Sequence, residues 1–290
     1  MTNGRKVNQH YVWRWYLDSW KNKKVIYCNR KGVIFETNPR NIASEREFYA
    51  IPTLSEKEYN FIFDAFIKNS KPPLRDMNEK WLKLFFTSSE LKPELSKNEE
   101  FNNLEENLHS EIENDLSPFI GRIKQRDYSF LFDAEKYITF VTSISHQYFR
   151  TKKMRDRMVS NLKEAKSFNA GEIVPVMRSI FATTFAFSIV KMNLHFTFLQ
   201  SEGECRFIAG DQPLINTFAT GKASNEEIQE LELYYPISPN LALLINVKDE
   251  RTKFTEKKIT EEEVRKFNNH IWQQSHESTF AFDKSDFDLR

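Results

Sequence analysis

The sequence predicts an α+β protein with a helix-rich middle and a mostly antiparallel sheet formed by an N-terminal hairpin and C-terminal strands. Between residues 53 and 192, apolar side chains recur at spacings of three and four, which is typical of amphipathic helices. Residues 8–52 and 193–290 contain short runs rich in β-branched and aromatic residues, which are typical of strands. We expect the three parts to form a single domain over residues 1–290.

The N-terminal part contains one clear hairpin and one ambiguous segment. Residues 24–37 hold two apolar runs separated by NRKG, which predicts a β-hairpin with Gly32 in its turn. Residues 10–17 alternate as a strand would, but a helix is also compatible with them. In either conformation a spacing of four places His10 and Arg14 on one face.

The middle of the chain predicts several helices. Ser55 and Glu58 have the spacing of a capping box at the start of the first. Pro118 predicts a break in a later one, and residues 88–100 are polar enough for an exposed loop. The predicted helices cover about residues 55–71, 77–87, 101–125, 134–167 and 172–191.

The C-terminal third changes to the period of strands. Thr260 precedes three acidic residues, which predicts a capped helix that extends to about His276. The predicted strands cover residues 194–200, 205–210, 231–237, 241–247 and 279–283.

Composition argues against several classes of protein. The net charge is +1, from 42 basic and 41 acidic residues, so a nucleic-acid partner would need a local basic patch. The chain has 7 glycines and neither GxGxxG nor GxxxxGK[ST], which argues against Rossmann and P-loop nucleotide sites. No signal segment and no run of ~18 apolar residues is present, so we expect no membrane span and a cytoplasmic location. The two cysteines, Cys28 and Cys205, are expected to be reduced, packed thiols.

Several segments carry a family resemblance. In chain order they read NQHYVWRWYL, IASEREFY, HSEIENDLSPFIGRI, ISHQYFRTKKMRDRM, FIAGDQPLI, YYPISPNLALLI and VRKFNNHIWQQS. In this order and spacing they resemble the bacterial family known as domain of unknown function 4238, from about Asn8 to Phe282. Trp13 stands where the family pattern has Pro, and Gly210 and Gln212 flank Asp211 in place of Ser and Asn.

The resemblance marks positions that are mostly polar and come from distant parts of the chain. Such a set of His, Glu, Gln, Arg and Asp suits one polar cavity. The marked positions are Asn8, His10, Arg14, Tyr16, Glu45, Tyr49, Glu113, Gln147, Arg150, Thr151, Asp211, Pro213 and Asn268.

Candidate roles follow from the side-chain chemistry. The catalytic candidates are His10, Glu45, Gln147, Arg150 and Asp211. The candidates for substrate binding are Asn8, Arg14, Tyr16, Thr151 and Asn268. Carboxylates are the ligands that Mg²⁺ and Mn²⁺ prefer, so the candidates for a metal site are Glu45, Glu113 and Asp211.

Each of these roles has a structural alternative. Arg150 either binds a phosphate or carboxylate, or pairs with Glu45 or Glu113 in a buried network. His10 either transfers protons near neutral pH or braces the first strand. Asp211 either faces a cleft or bonds the backbone of its own turn.

Two functions of different classes are compatible with these residues. The first hypothesis is an intracellular nuclease or RNase that acts as a toxin or antiviral effector, with Arg150 and Gln147 orienting a phosphate and His10 moving the proton. The alternative is a non-catalytic binding or sensor module for a small anionic ligand or a protein partner. In a third interpretation the marked residues are purely structural.

Overall fold

The fold is described from a computed structural model, which describes residues 8–95, 98, 101, 103–163, 168–223, 226–248 and 252–288. The helices are α1 Arg14–Leu17, α2 Glu56–Ile62, α3 Leu74–Leu95, α4 Leu104–Lys124, α5 Ala134–Phe149, α6 Lys152–Lys163, α7 Ala170–Val190 and α8 Glu261–Gln274. The strands are β1 Asn8–His10, β2 Ile26–Arg30, β3 Val33–Thr37, β4 Ser44–Arg46, β5 Leu194–Ser201, β6 Ala209–Gly210, β7 Ile215–Asn216, β8 Glu232–Ser238, β9 Leu241–Val247, β10 Phe254–Ile259 and β11 Ser278–Ala281.

The α+β class with mostly antiparallel sheets is confirmed. The C-terminal strand β11 pairs with β2 of the N-terminal hairpin, in the order β3-β2-β11-β6. The strands β10-β5-β9-β8-β7 form a separate sheet, in which only the β10–β5 pair is parallel. The short strands β1 and β4 pair with each other, so the described strands form three sheets rather than the single sheet that the sequence predicted.

The helical middle packs on the five-stranded sheet and on itself. α5 packs against α4 and α7, while α3 and α6 pack on other parts of α7. By length and composition α7 is apolar enough to cross a membrane, but 67% of its apolar window is buried inside the protein, as in a core helix. Cys28 is buried and Cys205 half-buried, and both are free thiols.

The helix prediction for the segment after β1 is correct, and the strand prediction is wrong there. Arg14–Leu17 is a helical turn, and a 3₁₀ turn follows it over Asp18–Trp20. Tyr16 and Trp20 are buried together with their rings 5.0 Å apart, because a spacing of four places them on one helical face.

Two helix interruptions were predicted in the wrong places. α3 continues to Leu95 through Pro93, so the loop predicted over 88–100 is wrong as far as residue 95, and residues 96, 97, 99 and 100 lie outside the described part of the chain. α4 continues through Pro118, because Leu116, Phe119 and Ile120 on either side are buried in the core. Packing of such an apolar face outweighs the local cost of a proline.

The helix predicted over 134–167 is two helices that meet at Arg150 and Thr151. The Thr151 Oγ1 accepts a hydrogen bond from the Met154 amide at 3.4 Å and so caps the start of α6. Residues 164–167 lie outside the described part of the chain. The capping box at Ser55 and the cap at Thr260 are both present, as predicted, and Glu263 makes the latter a capping box too. The predicted hairpin turn is also present, with Gly32 at φ +89°. Of the strand predicted over 205–210, only Ala209–Gly210 is extended and paired.

Candidate functional site

The junction of α5 and α6 holds Arg150, which is only 3% exposed. Its Nε donates to the Tyr49 hydroxyl at 2.9 Å, and its Nη2 donates to the His10 carbonyl at 2.6 Å. The Tyr49 amide is in turn held by the Gln9 Oε1 at 2.7 Å. These bonds join β1, the turn after β4 and the end of α5 around one guanidinium.

Arg150 belongs to a series of contacts that we call the arginine–aromatic ladder. Three guanidinium groups alternate with three aromatic rings, in the order Arg155, Phe48, Arg178, Tyr49, Arg150 and Trp13. Each guanidinium carbon lies 4.6–5.5 Å from the centroid of a neighbouring ring. Cations at this distance from an aromatic face are attracted by its quadrupole, and the attraction is larger away from water.

The carboxylates near the ladder compensate its charges unevenly. Arg178 Nη2 donates to Glu105 Oε1 at 2.8 Å, and the side chains are 3% and 4% exposed. Arg155 Nη1 donates to Glu45 Oε1 at 2.5 Å. By contrast, no carboxylate of the described residues lies within salt-bridge distance of Arg150, so the predicted pairing of Arg150 with Glu45 or Glu113 is not formed.

Several buried polar atoms at the inner end of the ladder have no hydrogen-bond partner among the described residues. Arg150 Nη1 is one, and both the Oε1 and Nε2 of the fully buried Gln147 are others. The hydroxyls of Tyr16 and Tyr235 are unpartnered too, with the two rings stacked 5.2 Å apart. Each such atom costs about 1–3 kcal/mol if nothing bonds it, so this region is suited to a polar guest.

Burial controls the protonation of the groups around the ladder. Desolvation raises the pKa of Glu105 to about 7, although Arg178 opposes the shift. Desolvation, with help from Arg150, lowers the pKa of His146 to about 4 and holds that of His109 well below its ordinary value. Both imidazoles are therefore neutral at pH 7, and the charges that matter are those of the arginines and Glu105.

The outer end of the ladder lines an open pocket between α6 and α7, which we call the arginine pocket. It has a volume of about 390 Å³. Phe48, Arg155 and Arg178 line it together with the acidic residues Glu47 and Asp156 and with the first half of α7. Arg178 is 3% exposed, and its Nε and Nη1 have no partner among the described residues. The pocket is therefore lined in part by a buried arginine with donors that no described residue uses.

Three of the predicted site residues bond the protein's own backbone or a neighbouring side chain. The buried Asp211 accepts the amides of His276, Glu277 and Ser278, at 2.7, 2.7 and 2.9 Å. Burial raises the pKa of Asp211, and these amides oppose that shift. Asn268 bonds the Arg206 carbonyl at 2.7 Å and the Ile208 amide at 3.0 Å. Thr151 caps α6 and donates to the Gln212 side chain.

The remaining predicted residues are at the edge of the ladder or outside it. Glu45 contacts Arg155 and Lys152; partial burial raises its pKa, but these two cations outweigh that effect and lower it. His10 is half-buried beside Arg150, and its pKa is lowered by burial and by that charge. Asn8 is exposed, and Arg14 is exposed near Asp18 at 4.0 Å.

The predicted metal site is not assembled. Across the part of the chain that the structure describes, no three His, Cys, Asp or Glu side chains are grouped to hold a metal ion. Glu45, Glu113 and Asp211 therefore do not converge. Glu45 faces cations and Asp211 faces backbone amides, which occupy the oxygens that a metal would need.

The sequence prediction missed Arg155, Arg178, Glu105 and Phe48. Arg155 is the second arginine of the RTKKMR segment, and Phe48 is the residue before Tyr49 in the EFY segment, so both were within quoted motifs. Arg178 interrupts an otherwise apolar helix, and a charge in such a run must be buried with a partner or a ligand. No local pattern pairs it with Glu105, which is 73 residues away.

Comparison with known proteins places the whole described fold in one family. The family model described as "Protein of unknown function (DUF4238)" matches residues 8–178 and 172–286. No curated protein and no solved structure matches the chain. The motif-based resemblance to this family is thus confirmed.

Proposed function

The chain belongs to the DUF4238 family, and we propose that it is a binding or sensor module that holds a small anionic ligand in the arginine pocket. The observation that carries the proposal is Arg178. Its guanidinium is 3% exposed at the inner side of an open pocket, and two of its nitrogens have no partner among the described residues.

The energetics of buried charge favour this proposal. An ion removed from water costs several kcal/mol unless charges and hydrogen bonds compensate it. Glu105 compensates Arg178 only in part, because it bonds one of the three guanidinium nitrogens, and burial raises the pKa of its carboxyl although Arg178 opposes that shift. A phosphate or carboxylate would supply the missing charge and accept two parallel N–H bonds from one guanidinium.

The shape of the pocket also supports a small ligand. Its volume of about 390 Å³ lies in the usual range for small-molecule sites. Arg155, with a side chain 24% exposed, also lines the pocket, and its nitrogens bond the carboxylates of Glu45 and Asp156. Phe48, between the two arginines, provides an apolar wall.

Thermal unfolding in the presence of inorganic phosphate, pyrophosphate and citrate tests the proposal. A ligand at a hundred times its Kd stabilises the folded state by about 2.7 kcal/mol, which raises the unfolding temperature by several degrees. We expect at least one of these anions to do so, and the shift to be smaller in Arg178→Lys, which keeps the charge but loses the planar fork. Equal shifts in both proteins, with all three anions, would contradict the proposal.

Cleavage of a phosphodiester is the second candidate, in a toxin or antiviral effector. It is supported by His10, whose imidazole lies beside Arg150 and has a buried Nδ1 without a partner among the described residues. Labelled RNA and DNA, incubated with and without Mg²⁺ or Mn²⁺, test it against a stably folded His10→Ala variant. Cleavage by the wild type that the variant lacks would favour this candidate over a binding module.

A further inference from the structure

A second cleft lies on another face of α6. It has a volume of about 810 Å³, larger than the arginine pocket. Lys153, Arg157 and Ser160 of α6 line it, whereas Arg155 and Val159 line the arginine pocket, and Asp156 lines both. Its other walls are residues 219–223 and the end of α8. None of the residues predicted from the sequence lines this cleft.

Lys153 lines this cleft and has no carboxylate partner among the described residues. Its Nζ donates to the carbonyl of Gln274 at 2.5 Å and to the Oε1 of the same residue at 2.8 Å. No carboxylate of the described residues forms a salt bridge with it, and burial lowers its pKa to about 8. Its neighbour Lys152 differs, since it contacts both Glu45 and Glu277. The Lys153 ammonium donates two of its N–H groups to these neutral oxygens. Its third N–H and its charge therefore remain for an anion.

An exposed indole lies at the same cleft. Trp272 of α8 lines it and is 39% exposed, although a Trp side chain normally buries most of its surface. His276 also lines the cleft, and its Nε2 lies 3.1 Å from Asp156 Oδ2, which holds the ring in place. Bases of nucleotides stack on such aromatic faces whatever their identity.

We propose that this cleft binds a nucleoside phosphate, with the base stacked on Trp272 and the phosphate bound by Lys153. The unit could come as a free nucleotide or as one residue of a single-stranded RNA, since both present the same base and phosphate. Lys222, which pairs with Glu226 at 2.8 Å, also lines the cleft. The site goes beyond the proposed function, because neither Trp272 nor Lys153 lines the arginine pocket.

Calorimetric titration with adenosine, AMP and a short single-stranded RNA tests the proposal. We expect Trp272→Ala to weaken the binding of AMP or of RNA by about 5- to 150-fold, the cost of one lost base stack. Lys153→Met should weaken AMP but leave the weaker binding of adenosine unchanged, because adenosine lacks the phosphate. The salt dependence of RNA binding, and its affinity relative to AMP, would identify which source the cleft prefers.

Two controls make the result decisive. Lys136→Met, at an exposed position of α5 that pairs with Asp133, should bind like the wild type. Because Lys153 also bonds the C-terminal carbonyl of α8, the thermal stability of each variant is measured first, and Trp272→Ala serves where Lys153→Met does not fold. The absence of binding by the wild type to all three probes, or full affinity in a folded Trp272→Ala, would overturn the proposal.

Discussion

At the scale of single residues, the described part of the chain buries several polar atoms that no described residue hydrogen-bonds. Arg150 lies among aromatic rings without an ion pair among the described residues, and Gln147, three residues earlier, has neither end of its amide bonded there. Buried polar groups in folded proteins are nearly always paired, with protein or with ordered solvent or ligand. Such atoms also occur singly elsewhere, as at Asn78, Asn246 and Thr279, but several belong to the ladder and its neighbours, which is why the ladder is the candidate site.

Glu105 gives this cluster a pH dependence with a definite sign. Its folded pKa of about 7 is above its ordinary value of 4.5. Its contribution to stability is therefore fully present below pH 4.5 and is lost as the pH rises through 7. This loss of unfolding free energy amounts to up to about 1.4 kcal/mol per pH unit between pH 4.5 and pH 7, and Glu105→Gln should remove it. Urea unfolding of the wild type and of Glu105→Gln between pH 5 and pH 8 measures the difference. Parallel pH profiles of the unfolding free energy would contradict the raised pKa of Glu105.

Asp211 is expected to stabilise the fold, because its carboxylate accepts three backbone amides. Asp211→Asn replaces one acceptor by a donor that faces backbone amides, so unfolding should become easier by about 1–3 kcal/mol. Asp115→Asn, at an exposed position of α4, is the matched control and should leave stability within about 0.5 kcal/mol of the wild type. If Asp211→Asn kept full stability but lost binding, the residue would belong to a ligand site instead.

At the scale of elements, the break between α5 and α6 creates the site. A continuous helix would carry Arg150 and Arg155 on one rigid rod, but the break at Thr151 lets Arg150 turn inward to Tyr49 while Arg155 reaches Phe48. The sequence has no Gly or Pro at this point, so periodicity alone predicted a continuous helix. The N-cap role of Thr151 is recognised from its hydrogen bonds to Met154 and Gln212 in the structure, not from the sequence.

The cap at Thr151 can be tested by substitution. Thr151→Val removes the hydroxyl that accepts the Met154 amide and bonds Gln212, so we expect a loss of about 1–2 kcal/mol in unfolding free energy. Thr151→Ser retains the hydroxyl and should restore most of it. Denaturant titrations of the two variants compare these values, and an equal loss in both would show that the hydroxyl is not what stabilises the junction.

At the scale of the whole molecule, much of the architecture follows from local pattern. The α+β class, the capped starts of α2 and α8 and the hairpin around Gly32 were predictable, because each depends on residues close in sequence. The division into separate sheets was not, since β11 pairs with β2 about 250 positions earlier in the chain. Motif matching found Arg150 and Gln147, but their partners across the ladder depend on long-range packing that a single sequence does not encode locally.

The central claim is that the arginines of the ladder hold a small anion, and isothermal titration calorimetry of wild type and Arg155→Met tests it most directly. The variant removes the more exposed guanidinium and leaves the buried Arg178 in place. With phosphate, pyrophosphate or citrate, the account predicts saturable binding by the wild type and at least tenfold weaker binding by a folded Arg155→Met. The absence of heat with all three anions, or equal affinities in the two proteins, would contradict it.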